Sequence, residues 1–577
     1  MIPPLKYSEG DLQEQIPRAK PVSTKDLLQN LLIEQRSLTA VEEFAQQHAD
    51  IHHPLQAKYY QNLIPVNLPQ SGEQFAFEVD LDRCSSCKAC VSACHSLNGL
   101  GDDEIWRSVG VLHPAVNAGQ GQVTVTTACH HCLEPGCLEG CPVTAYEKDV
   151  ITGIVRHLND QCIGCQYCVM KCPYDVPKYS PHLGIIRKCD MCHDRLKSLE
   201  APACVQACPN EAIKITIVST ASISERAANG VFLPDSPDPG YTKPGTVYTS
   251  SKPIPSNMLG GDHDKLIIQD GHWPLAVMLV LTQAGIGFLG AQIIGSAVGV
   301  LPTLANRWMA LLGLIIFSGG MASSILHLGQ PLKAWRFFLG LRTSWLSREI
   351  LAFGVLTLLA TVYVLALWTE PILEGLSTHS PSRLISGWIQ GQYHWVQTIY
   401  PAVLPIVSVT ILIVGITAVF TSVMVYAVTR RQFWRWEVTL PRFLGTVIIF
   451  GLFGLLYFTL HFRSFPVDIT LLIWAVVISC TFKILGEMSL FLHLRDRGHP
   501  AIKRTAILLR GPLKKLMLTR IISGIAGGIF LPLLLLTPNG HPLFVASLSL
   551  GFWLLGEFTE RSLFFKAVSP DKMPGGI

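Results

Sequence analysis

Charge is scarce in this chain. Of its 577 residues only 15% are Asp, Glu, Lys or Arg, against about 25% in a soluble globular protein. That shortage excludes a protein soluble along its whole length. The formal net charge of +4 is too small for this length to point to nucleic acid. Residues 1–30 lack an apolar stretch, and no Arg-Arg pair precedes one, so neither a secretory nor a twin-arginine signal is expected. Cysteine is also missing from most of the chain. Sixteen of the seventeen lie between Cys84 and Cys208, and the other, Cys480, sits in an apolar run. The sequence therefore predicts a metal-rich soluble front and a membrane-embedded back, in three or four units at roughly 100–200 residues per domain.

What is present fills in that division. Residues 1–74 read as an N-terminal helical arm that packs on the next domain. Within it Ser23-Thr24-Lys25-Asp26 and Thr39-Ala40-Val41-Glu42 have the spacing of capping boxes. Residues 75–218 hold the cysteines, and 219–270 are a Pro- and Gly-rich stretch expected to be an extended surface linker with little core of its own. From 271 to 577 eight apolar runs follow, near 273–300, 306–328, 346–369, 402–429, 441–460, 469–493, 518–537 and 542–565. Each is long enough to cross a hydrocarbon core of roughly 30 Å as a helix. The fold class expected is an α+β ferredoxin-like iron–sulfur domain, made of two double-cluster modules, followed by an all-α eight-helix transmembrane bundle.

The cysteines form four groups of four. They are Cys84, Cys87, Cys90 and Cys94; Cys129, Cys132, Cys137 and Cys141; Cys162, Cys165, Cys168 and Cys172; and Cys189, Cys192, Cys204 and Cys208. The first and third have the C-x2-C-x2-C-x3-C spacing of bacterial ferredoxins, in which one loop supplies three thiolates to a cubane and the fourth cysteine serves its neighbour. Zinc sites also use C-x2-C pairs, but seldom three cysteines at successive x2 spacing followed by x3-C-P. Disulfides fit less well still, because dense C-x-x-C elements suit metal. Four [4Fe–4S] clusters are expected, and no group has lost a cysteine as a three-iron cluster would require.

Residues 75–218 resemble the four-cluster iron–sulfur subunit of the dimethyl sulfoxide reductase family, above all in Cys162-Ile163-Gly164-Cys165-Gln166-Tyr167-Cys168 and Cys172-Pro173-Tyr174. The resemblance implies a ligand pairing. Cys84, Cys87, Cys90 and Cys208 would hold one cluster, and Cys94, Cys189, Cys192 and Cys204 its neighbour. Cys129, Cys132, Cys137 and Cys172 would hold a third, and Cys141, Cys162, Cys165 and Cys168 the fourth. One departure is that His95, in place of proline, follows Cys94.

Ionisable residues inside membrane helices are costly and tend to mark function. Here they are His327 and Glu349 at the second and third runs, Lys483 and Glu487 on the sixth, and Glu557 and Arg561 on the eighth. Alternate threading places all six in the leaflet nearer the cysteines. Lys483–Glu487 reads as a neutralised i,i+4 pair. Residues 272–565 resemble the eight-helix membrane anchor of dimethyl sulfoxide reductase, in His272-Trp273-Pro274-Leu275, Leu326-His327-Leu328-Gly329, Leu346-Ser347-Arg348-Glu349-Ile350 and Gly556-Glu557-Phe558-x2-Arg561. The resemblance implies a quinol site, menaquinol or another, at His327 and Glu349, with Glu557 and Arg561 as further candidates. The chain thus resembles a natural fusion of two subunits.

The function expected is a membrane-anchored electron-transfer subunit that oxidises quinol and reduces a molybdopterin-containing catalytic subunit through four clusters. The partners expected are that subunit, membrane lipid and the quinone pool. Neither half shows a residue set for molybdenum or for terminal substrate reduction, so catalysis on the final acceptor belongs elsewhere. Reverse flow into the quinone pool is the alternative. A redox-driven ion pump is disfavoured because the far leaflet holds little beyond His461, and a purely structural anchor would leave the clusters without an electron source. Fifteen Lys and Arg fall in loops 2–3, 4–5 and 6–7, and only Arg307, Arg383 and Arg463 in the opposite loops. By the positive-inside rule the iron–sulfur domain and both termini are cytoplasmic, on a bacterial inner membrane. The cluster count has a direct check. Metal analysis should find about sixteen irons per chain, four for each complete quartet of thiolates, and tightly bound zinc in place of one iron quartet would overturn it.

Overall fold

In the computed structural model the described residues are 23–576, except 37, 38, 40, 41, 44, 47–56, 103, 115–120, 380–382, 463–467 and 538–540, with backbone alone for 373–401. Arg463 lies outside the described residues. The helix α1 (Thr24–Arg36) is capped by Ser23, whose Oγ accepts from the Lys25 amide at 3.3 Å. Further on the Thr39–Glu42 capping box is formed in both directions, with Thr39 N to Glu42 Oε2 at 2.8 Å and Glu42 N to Thr39 Oγ1 at 3.2 Å. Among the described residues of the arm, those packed on the next domain lie at its end. Leu27, Leu28, Leu31 and Leu32 of α1 are exposed, whereas Tyr60 and Leu63 are buried.

The soluble domain is built from short strands between cysteine loops. They are β1 (Glu73–Asp80), β2 (Ser108–Pro114), β3 (Val123–Thr127), β4 (Tyr146–Lys148), β5 (Val155–His157), β6 (Lys178–Ser180), β7 (Ile185–Arg187), β8 (Ile213–Ser219), β9 (Val247–Thr249) and β10 (Met258–Gly260). β1 lies between antiparallel β8 and parallel β9; β2 lies between β10 and β3, and β4–β5 and β6–β7 are hairpins. The long separation of β1 from β8 closes the domain on itself, with Phe75, Phe77, Ile213 and Ile215 in one core.

Residues 219–270 are more than a linker. They contain α2 (Thr220–Ala228), and they supply β9 to one sheet and β10 to the other. Composition suggested extension, and the stretch is extended; its backbone groups are satisfied by edge pairing, as buried amides require. The C-terminal tail adds a second tie. The Gly575 carbonyl accepts from Val111 N of β2 at 3.2 Å, and the Gly575 amide donates to Asp262 at 2.8 Å. Gly110, opposite Gly576, must be glycine because a Cβ there would collide with the Pro574 carbonyl.

Among the described residues eight helices are long and apolar enough to span a membrane. The helices are α3 (Trp273–Ala297), α4 (Thr303–Ile325), α5 (Trp345–His379), α6 (Arg383–Ala427), α7 (Trp436–Phe462), α8 (Ile469–Met488), α9 (Lys514–Ile525, continuing through a π turn at Ala526–Phe530) and α10 (Pro542–Lys566). The eight expected runs match these spans. Small residues let the helices approach closely, since a side chain on Gly287 would strike the Val447 carbonyl of α7.

Domain and bundle meet along the loops that carry the basic residues. Gln330 N donates to Ile163 O at 3.0 Å, Ser344 Oγ to Gly140 O at 2.7 Å and Arg431 to Val169 O at 3.3 Å. Gly164, Gly184 and Gly329 stack backbone on backbone, and a Cβ on Gly329 would strike the Gly184 carbonyl. This contact presses the Cys162–Cys168 loop onto the bundle.

Candidate functional site: thiol quartets above a membrane cavity

Each cysteine loop turns by residues in the left-handed region. Lys88 and Gln166 occupy equivalent places in the first and third runs, both have φ 58°, and each begins a short helix that carries the next cysteine. Cys192, with φ 50°, likewise begins a short helix, His193–Lys197, although the next cysteine, Cys204, lies on a later one. Such turns aim backbone amides at the sulfurs. Gly164 N reaches Cys162 Sγ at 3.4 Å, Ala145 N reaches Cys141 Sγ at 3.1 Å, and Ala212 N reaches Cys208 Sγ at 3.2 Å. Amide donors of this kind orient and tune thiolate ligands.

The sulfurs group across runs. Cys84 faces Cys208 and Cys87, and Cys90 faces Cys204 and Cys208. Cys94 faces Cys204 and Cys192, and Cys189 faces Cys129, Cys94 and Cys192. Cys137 faces Cys129, Cys132 and Cys172, while Cys168 faces Cys141, Cys162 and Cys165. The fold thus brings cysteines of different runs together, the first beside the fourth and the second beside the third, with Cys90–Cys204 and Cys129–Cys189 close where these groups meet. Among the described residues no three His, Cys, Asp or Glu side chains converge on a point suited to one metal ion. The donor set is all thiol, the ligand type of iron–sulfur clusters.

The quartets also have an order. Arg107 lies among Cys90, Cys94, Cys189 and Cys204, between the first two sets. Lys188 lies among Cys129, Cys137 and Cys189, between the second and third, with Nζ 3.5 Å from Cys129 Sγ. Burial works against its charge, but the surrounding sulfurs more than offset this and hold its pKa above the ordinary lysine value. Tyr146 faces both Cys137 and Cys168, between the third and fourth. The line runs from exposed Cys87 at the outer end to Cys165 against the bundle.

Below Cys165 lies a cavity of about 560 Å3 walled by α3, α4, α5 and α6. His327, Glu349, Cys165, Tyr167, Trp335 and Tyr426 line it. That volume falls within the roughly 300–1,000 Å3 of small-molecule sites. Two buried polar atoms there have no hydrogen-bond partner, His327 Nε2 and Glu349 Oε1. His327 stands just beyond the end of α4. Burial, and the His272 ring 5.1 Å away, hold its pKa down at about 4. The ring is therefore neutral at pH 7 and keeps one nitrogen free to accept a hydrogen bond. Tyr167 OH donates to Val425 O at 2.8 Å, which fastens the cluster loop to α6. Outside, the segment Pro331–Gly340 turns Leu332, Trp335, Phe338 and Leu339 outward as an apolar rim.

Glu557 and Arg561 do not line this cavity. They belong to a buried network of Arg442, Lys483, Glu487, Arg520, Glu557, Glu560 and Arg561. Glu557 Oε2 accepts from Lys483 at 2.5 Å and Thr446 at 2.8 Å, and Arg520 lies 3.1 Å from its other oxygen. Arg561 donates to Gln283 at 2.8 Å and stacks on Phe443 at 4.5 Å. Tyr426, packed against Phe443, Phe564 and Phe565, stands between that network and the cavity. The structure therefore divides the six membrane ionisables into two groups. The i,i+4 expectation for Lys483 and Glu487 is also replaced. Glu487 takes both its bonds from Arg520 of the next helix, at 2.7 and 2.8 Å, because the guanidinium fork meets both carboxylate oxygens at once. Sequence reasoning assigns no role to Arg520, Tyr167, Tyr426 or His272. Their signal is an arginine inside an apolar run and aromatic rings in or beside the motifs.

Comparison with known proteins gives two family matches. Residues 122–217 match the 4Fe-4S dicluster domain, and residues 270–378 match the DMSO reductase anchor subunit. An anaerobic dimethyl sulfoxide reductase subunit of Haemophilus influenzae is 32% identical over 193 residues, 31% of this chain and 91% of the relative. The formate dehydrogenase iron-sulfur subunit of the same organism is 34% identical over 153 residues, 24% of this chain and 49% of the relative. The hydrogenase-2 operon protein HybA of Escherichia coli O157:H7 is 34% identical over 160 residues, 23% of this chain and 49% of the relative.

Removing one partner of a buried ion pair costs about 3–5 kcal/mol. We therefore predict that Glu557→Gln lowers the melting temperature in detergent by several degrees and leaves binding of a quinol analogue at the parental affinity. Parental melting with weakened analogue binding would return Glu557 to the cavity.

Proposed function

Because this chain belongs to the family of iron–sulfur chains of anaerobic dimethyl sulfoxide reductase, fused here to an anchor of the same system, we propose that it oxidises quinol at the cavity and delivers the electrons to a molybdopterin-containing catalytic subunit. It is an iron–sulfur electron-transfer subunit that carries its own multi-pass membrane anchor. The observation that carries the quinol assignment is a single cavity lined by a cluster cysteine, Cys165, and by two unpartnered polar atoms, His327 Nε2 and Glu349 Oε1.

Oxidation of a quinol releases two protons and two electrons. Burying a hydroxyl is costly unless it is hydrogen-bonded, and His327 and Glu349 supply acceptors at the two buried positions that lack partners. As the electrons leave, the same groups receive and pass on the hydroxyl protons. The apolar remainder of the cavity and the Pro331–Gly340 rim hold the quinol ring and admit its tail from lipid. The four quartets, Cys84/87/90/208, Cys94/189/192/204, Cys129/132/137/172 and Cys141/162/165/168, would hold [4Fe–4S] clusters, which when bound carry single electrons from the cavity outward. The exposed Cys87 end is where a catalytic partner would dock.

Two results are expected. His327→Ala or Glu349→Gln abolishes reduction of the clusters by a quinol analogue, while dithionite still reduces them. Parental rates in both variants would sink the site assignment. Orientation is the second matter. The excess of basic residues in the loops beside the iron–sulfur domain, even without Arg442 of α7, favours a cytoplasmic iron–sulfur domain, so quinol protons would be released and consumed on one side. A fluorescent protein fused after Ile577 should be bright and an alkaline phosphatase fusion inactive; an active phosphatase reverses the topology.

A further inference from the structure

A buried cation normally has a carboxylate beside it, because removing a charge from water costs several kcal/mol. Arg107 departs from this. It stands just before β2, is 2% exposed, and forms no ion pair among the described residues. Its neighbour Arg187, by contrast, pairs with Glu104 at 3.0 Å. Three features hold the Arg107 guanidinium in place: Nη1 donates to Thr126 Oγ1 at 3.2 Å, the Phe77 ring lies 4.6 Å beneath it, and the sulfurs of Cys90, Cys94, Cys189 and Cys204 surround it. Thr126 Oγ1 is in turn 3.7 Å from Cys90 Sγ. The Nη2 group has no acceptor. A guanidinium is always charged and all its N–H groups seek acceptors, so a buried one left open among sulfurs is complete only when something anionic occupies the space between them.

We propose that Arg107 is a positioning residue shared by two clusters, giving a hydrogen bond and a fixed positive charge to the cluster of Cys94, Cys189, Cys192 and Cys204 and to its neighbour at Cys90. This rests on the reading that the quartets hold iron–sulfur clusters. Cluster potentials follow net charge, hydrogen bonds to sulfur and exposure. Reduction adds one negative charge to a cluster, and a cation fixed beside it in a poorly screened interior stabilises that reduced form. Arg107 therefore raises the potentials of the two outer clusters and leaves the two nearer the bundle unchanged. Electrons from the cavity are drawn toward the end where the partner docks, and the direction of flow is written partly into one side chain.

The experiment is an EPR-monitored redox titration of the full chain in detergent, with iron analysis, for the parental protein, Arg107→Gln and Arg107→Lys. The glutamine variant should shift two of the four signals to lower potential, leave the other two in place, and keep its iron. The lysine variant, which keeps the charge and loses the planar fork, should shift the same two signals by less. If glutamine costs iron and lysine restores it with near-parental potentials, a positioned charge is again supported. Four unchanged potentials, an equal shift in all four, or iron lost from both variants would overturn the proposal. A parental protein that carries zinc and shows no titrating signal would sink the cluster assignment and this inference together, and is recognisable before any substitution is made.

Discussion

Backbone-to-backbone contact between Gly164, Gly184 and Gly329 is the constraint on which the rest of the arrangement depends. A thiolate loop can exchange electrons with a lipid-soluble donor only if it reaches the bundle surface, and any side chain at Gly329 would hold it away from the Gly184 carbonyl. With the loop seated, Cys165 becomes part of the cavity wall, Tyr167 reaches Val425, and Gln330 caps Ile163. The cavity exists because two separate units share it, and neither the domain nor the bundle encloses it alone.

Such a seat must be held at a fixed angle, and the chain holds it from several sides. The stretch 219–270 is threaded through both sheets before it enters α3, and the tail after α10 returns to β2 and Asp262. Arg504, before α9, donates to Asp571 of that tail at 2.8 Å. Both ends of the bundle are therefore tied to the soluble domain. A relative with two separate subunits would have to form the same interface by association, whereas fusion makes it an intramolecular contact.

Inside the bundle the charges obey a different economy from those on a soluble surface. Arg442, Lys483, Arg520 and Arg561 meet Glu487, Glu557 and Glu560 across four helices, each carboxylate with more than one donor nearby. Pairing of this density locates α7, α8, α9 and α10 against one another where apolar packing alone would permit sliding. The network lies beyond the aromatic wall at Tyr426, so the ionisable groups that join the helices are separate from those that line the cavity.

Local spacing was sufficient for much of this. Cysteine loops follow short-range spacing, and a span is a matter of length and apolarity, so the four cysteine runs, the eight helices and the candidacy of His327 and Glu349 were legible in the sequence. The capping box at Thr39–Glu42 was legible for the same reason. What tertiary structure decided is which distant residues meet. A lone Glu557 or Arg561 in an apolar run has the same sequence signature whether it faces a ligand or another helix, and packing against Arg520 and Lys483 settled it. The strands within 219–270 have no periodic signal of their own, because edge pairing with β1 and β2 creates them. The ordering of Arg107, Lys188 and Tyr146 between successive quartets comes likewise from long-range closure of β1 on β8, which no local pattern encodes.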